Sequence, residues 1–96
     1  MAEQHSRFEF TGAILKEGRR FVALCLDLDV ASEGRTPHEA KKMLAEAISL
    51  YLETCVESNV PHLRPVPKED DPRLHPPGNL LEMFPVKVNF KVRAVA

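Results

Sequence analysis

The stretch CLDLDVASEGRTPHEA, Cys25 to Ala40, sets three carboxylates in strand-like sequence, then a glycine, then a helix start. The helix start is its firmest feature. Thr36 suits the N-cap, Pro37 suits the first helical position, where a missing N–H costs nothing, and Glu39 stands where a capping box places its acid. Beyond it Ala40, Met43, Leu44, Ala47, Ile48, Tyr51, Leu52 and Cys55 recur at spacings of three and four, with Lys41, Lys42, Glu46, Ser49 and Glu53 between them. That period predicts one amphipathic helix ending near Ser58 and Asn59. Such a helix needs a sheet face to lie on.

Upstream, Phe8, Phe10, Gly12 and Ile14 alternate with Glu9, Thr11 and Ala13, the period of a strand over residues 8–16. The charged turn Lys16-Glu17-Gly18-Arg19-Arg20 leads into Phe21-Val22-Ala23-Leu24-Cys25-Leu26, apolar at every position. This second strand is expected mid-sheet with both faces covered, paired to the first as a hairpin. A third strand is expected from Leu28 to Glu33, ended by Gly34. Its alternation would put Asp27, Asp29 and Glu33 on one side.

Downstream, residues 60–85 hold most of the prolines and read as a long loop, with one helical turn expected over Asn79-Leu80-Leu81-Glu82-Met83-Phe84. The run Val86 to Val95 then alternates, with Val86, Val88, Phe90, Val92 and Ala94 directed inward and Lys87, Asn89, Lys91 and Arg93 outward. The predicted order is β-β-β-α-β, an α+β fold with a mainly antiparallel sheet and one long helix on one face. Residues 1–96 form a single domain in this reading. The uncovered face and the strand edges are the expected places for self-association, with Val86, Val88, Phe90 and Val92 as interface candidates in a homo-oligomer, dimer or tetramer.

With 44% hydrophobic and 28% charged residues the chain has the balance of a globular domain rather than a disordered one, and its net charge of −1 gives no global field for nucleic acid or anionic membrane. The polar start Met1 to Arg7 has no signal-peptide core and no apolar run reaches membrane-spanning length, so a cytoplasmic location and no membrane partner are expected. Cys25 and Cys55 have no CxxC spacing and read as small buried apolar residues. His5, His38, His62 and His75 are scattered and form no ligand motif.

Asp27, Asp29 and Glu33 allow three readings: carboxylates of a turn and a solvated face, an acidic surface for a basic partner, or ligands of a divalent ion. No base or nucleophile motif accompanies them, so no catalytic residue, metal or cofactor is assigned and no enzyme is expected. The basic residues Lys87, Lys91 and Arg93 match the usual guard of an edge strand, and direct nucleic-acid binding is not expected.

The residues Gly18 to Asp29, with the pattern Ser32-x-Gly34-x-Thr36-x-x-Glu39-Ala40 and the helix through Glu53, resemble the HicB-like antitoxin family. Leu26 stands where many members carry proline, and Arg35 where many carry aspartate. The resemblance implies a partial RNase H-like fold without nuclease activity, homo-oligomer formation, and neutralisation of a small HicA-type toxin that cleaves mRNA. Asp27, Asp29 and Glu33 are the candidates for that contact. Family members that repress their own operon usually add a DNA-binding domain, and with the chain ending after one strand independent operator binding is not expected. A stand-alone HicB-like oligomer is the alternative reading, and a residual metal-dependent nuclease the least favoured.

Overall fold

The computed structural model describes residues 3–59, 61 and 63–93, with the backbone alone described for 3–8 and 89–93. The strands are β1 (Glu3–Glu17), β2 (Arg20–Cys25) and β3 (Val30–Gly34), followed by helix α1 (Pro37–Ser58), a 3-10 turn (Lys68–Asp70) and β4 (Leu80–Arg93). They form one four-stranded sheet in the order β3-β2-β1-β4, antiparallel at every pairing. The β-β-β-α-β order and the α+β class therefore hold.

Helix α1 starts where its cap requires. The Thr36 hydroxyl accepts the Glu39 N–H at 3.0 Å, and Asn59 closes the other end in a left-handed conformation with φ 53°. Ala40, Leu44, Ile48 and Leu52 are buried along one stripe against Phe10, Ile14, Ala23, Cys25, Val86 and Val88 of the sheet. Each large apolar side chain so buried is worth about 1.5–3 kcal/mol, and the helix is held by this stripe more than by its own propensity. Met43, assigned by period to the stripe, lies at its margin and is 40% exposed. Gly34 sets the approach of the helix to the sheet: a Cβ there would sit 2.4 Å from the Ala40 backbone nitrogen.

The structure corrects several boundaries. Residues 26–29 form a turn rather than strand, and β3 begins at Val30. The Asp29 N–H donates to the Cys25 carbonyl at 3.0 Å, and Asp29 takes a φ of 52°, a region aspartate tolerates better than most residues. The turn swings Leu28 into the core, so strand alternation does not apply between Asp27 and Glu33. Residues 80–84 are strand, not helical turn. Leu80, Glu82, Met83 and Phe84 pair with Leu15, Ile14, Ala13 and Gly12, and this ladder overrides the local helical bias of Leu-Leu-Glu-Met. The Phe84 ring lies where a Cβ on Gly12 would stand, 2.5 Å from its Cζ. The expected end of the last strand, Ala94 and Val95, falls outside the described residues.

β2 is interior, but it is covered differently on its two faces. Ala23 and Cys25 are buried under α1, while Val22 and Leu24 on the other face are half-buried. By register Ala13 shares that second face with Leu24, yet it is fully buried. Residues 63–79 form a strap with Val66 and Asp71 buried. It is pinned where the Arg64 and Val66 N–H groups reach the Asp27 and Leu26 carbonyls at 3.0 and 2.9 Å. At its far end the Lys16 N–H donates to the Asn79 carbonyl at 2.9 Å and the Asn79 amide donates to the Lys16 carbonyl at 3.0 Å.

β1 outruns β2. Its pairing with β2 starts at Gly12, whereas its pairing with β4 continues from Ile14 back to Glu3. Residues 3–7 and 89–93 therefore form a two-stranded ribbon that runs beyond the core residues Phe10, Val86 and Val88, and the molecule is 50 Å long. Its radius of gyration is 14.5 Å, where a compact chain of this length would have about 12.5 Å.

Candidate functional site

The three acidic candidates do different things: Asp27 and Asp29 lie in the β2–β3 turn, and Glu33 lies near the other end of β3, opposite Val22. Asp27 is half-buried, and its Oδ2 accepts the Thr11 N–H at 2.7 Å. A carboxylate on a backbone N–H is among the stronger hydrogen bonds a fold can use, so Asp27 ties the β2–β3 turn to β1. Because its carbonyl also receives Arg64, the same residue anchors the strap. Asp29 is exposed in the left-handed position of the turn. Glu33 is exposed on β3, with one oxygen 3.3 Å from Arg20 Nη1 across the β2–β3 pair. Both side chains are more than half exposed, so this ion pair adds little to stability.

Asp27 is thus committed to architecture, and Asp29 and Glu33 are the acidic groups open to a partner. Among the described residues no three His, Cys, Asp or Glu side chains are gathered as a metal would need. His38 lies in the first turn of α1 and His75 in the strap, on separate segments. Burial pushes the Cys25 thiol up, which keeps it protonated and unreactive at neutral pH.

Val86 and Val88, named as interface candidates, fill this chain's own core at 5% and 4% exposure. The side chains of Phe90 and Val92 lie outside the described residues. What the sequence reading missed is the surface beside them. Glu9, Thr11, Met83 and Pro85 line a shallow groove of about 330 Å³ on the face away from α1, with Leu81 exposed next to it. The signal was hidden because 80–85 does not alternate and ends in proline.

The strap carries a polar knot of its own. Asp71 accepts from the Arg73 N–H at 2.9 Å and from the Arg73 guanidinium at 2.8–3.2 Å. The guanidinium beside it holds the Asp71 carboxyl below its ordinary range. Arg64 lies 5.5 Å from the centre of the Tyr51 ring, joining the strap to α1. At the other end of the helix, Lys41 pairs with Glu82 at 2.8 Å and covers the Phe84 ring at 4.7 Å. These contacts brace the helix and the strap around the sheet.

No family model, curated protein or solved structure matches the chain.

Proposed function

We propose that this protein is a non-catalytic, antitoxin-like binding protein that neutralises a small, basic, HicA-type mRNA-cleaving toxin by direct contact. The observation that carries the non-catalytic half is the engagement of Asp27. The carboxylate best placed for chemistry is bound at 2.7 Å to the Thr11 N–H and serves the fold. The toxin half rests on the resemblance of Gly18 to Glu53 to HicB-like antitoxins. Asp29, exposed in the β2–β3 turn, and Glu33, exposed near the other end of β3, supply acidic groups along this edge of the sheet that a basic partner would meet.

The test is co-expression with the product of an adjacent short, basic open reading frame. Growth arrest by that product alone, and recovery when this protein is present, is the expected result. Arrest that this protein does not relieve would refute the reading. The pair Asp29→Asn and Glu33→Lys should weaken rescue while leaving the fold intact, because asparagine tolerates the left-handed backbone at position 29 and neither carboxylate holds the core.

A stand-alone HicB-like homo-oligomer is the second reading. The β1–β4 ribbon favours it, since β1 residues ahead of Thr11 pair with β4 alone and leave the β1 edge, rather than the basic β4 edge, open to a second copy. A monomeric mass at micromolar concentration would count against it.

A further inference from the structure

β4 is the long open edge of the sheet, and its backbone polarity can be read from its neighbour. The Thr11 N–H reaches Asp27 and the Thr11 carbonyl accepts the Leu26 N–H at 2.9 Å, so both groups point toward the β2 side. In an antiparallel ladder the residue opposite, Pro85, then points its own backbone groups away from β1. Its missing N–H falls on the open edge and leaves the β1–β4 ladder whole. The register runs without a shift from Glu3 opposite Arg93 to Ile14 opposite Glu82. By the same alternation Lys87, Asn89, Lys91 and Arg93 offer their N–H and C=O groups to that edge.

We propose that this edge receives an extended, acidic segment of a partner protein as a further strand of the sheet. The argument is charge complementarity at the register positions. Of the four residues that follow Pro85 along the edge, three are basic, Lys87, Lys91 and Arg93. On the side already paired, β1 places Glu9 opposite Lys87, Arg7 opposite Asn89, His5 opposite Lys91 and Glu3 opposite Arg93, so two of the three basic positions face an acid in register. A strand with acids at alternate positions would extend that pairing to the open side and supply at Lys91 the acid that β1 does not. A second copy of β4 would instead bring lysine and arginine against lysine and arginine, which opposes self-pairing. The site lies at the sheet edge opposite β3 and Glu33, so it is separate from the surface proposed for the basic toxin. β3, with only five residues, offers a shorter edge.

The test uses the full chain, isotopically labelled, titrated at low salt with a ten-residue peptide alternating threonine or valine with glutamate, and with its lysine counterpart. The expected result is that the glutamate peptide binds at least tenfold tighter and slows amide exchange at Lys87, Asn89 and Lys91. Asn89→Pro removes an edge-facing N–H while sparing the β1 ladder, and should abolish binding. Lys87→Glu with Lys91→Glu should reverse the preference toward the lysine peptide, and this variant decides the matter if Asn89→Pro does not fold. Equal affinity for both peptides, no binding at millimolar concentration, or shifts confined to other surfaces would overturn the proposal. So would concentration-dependent protection of these amides without peptide, which would mean that the edge is filled by a second copy.

Discussion

Replacing Asp27 with alanine removes the one side-chain acceptor of the Thr11 N–H, a bond of 2.7 Å at a partly buried site. A hydrogen bond to a charged group contributes about 1.5–3 kcal/mol, and the N–H left behind is part-shielded from water, so a loss of about 2 kcal/mol is expected. For a domain of this size each kcal/mol moves the midpoint by about 4–8 °C, which places the Asp27→Ala transition roughly 8–16 °C lower. Asp27→Asn keeps an oxygen at the same place without the charge, and should lose about half as much. Thermal unfolding followed by circular dichroism, with urea denaturation as a check, reads both. The double change Asp29→Asn and Glu33→Ala should leave the midpoint within ~2 °C, because asparagine tolerates the left-handed backbone at position 29 and neither residue makes a buried contact. An Asp27→Ala protein as stable as the parent, or more stable, would refute the structural role and return this carboxylate to the list of functional groups.

Gly34→Ala forces a Cβ to within 2.4 Å of the Ala40 nitrogen; it should destabilise by more than about 3 kcal/mol, read as a collapsed urea midpoint, because the obstacle is backbone that cannot swing aside. Thr36→Ala removes the cap on the Glu39 N–H and should cost about 1 kcal/mol by the same measurement. Asp71 has its folded pKa lowered, first by its hydrogen bond from Arg73. Its contribution is therefore present above the ordinary carboxylate range and is lost as pH falls through the lowered folded value. Arg73→Leu should flatten that part of the acid-unfolding curve, and an unchanged curve would show that the pair does not contribute.

The helix was legible because its cap and its stripe are local: Thr36, Pro37 and Glu39 lie within four positions, and Ala40, Leu44, Ile48 and Leu52 repeat every turn. The hairpin of β1 and β2 was legible for the same reason, with the turn at Gly18 and Arg19 between two matched runs. What failed depended on partners distant in sequence. The strand from Leu80 to Phe84 exists because β1 is there to pair with it, and Gly12 is there to receive Phe84. The strap follows from backbone bonds to Leu26 and Asp27, which no composition of residues 63–79 announces. Among the acidic candidates, the sequence reading placed Asp27, Asp29 and Glu33 on one side because strand alternation was carried through a turn. Leu28 enters the core, and this separates the bound Asp27 from the exposed Asp29 and Glu33.

The proposed function is tested most directly with purified components. The product of an adjacent short, basic open reading frame is mixed with a defined mRNA, and cleavage is followed as the protein is added. The account predicts that cleavage stops at a fixed stoichiometric ratio, and that this protein alone cuts no RNA with or without Mg²⁺. Cleavage that continues undiminished in the presence of excess protein would contradict it.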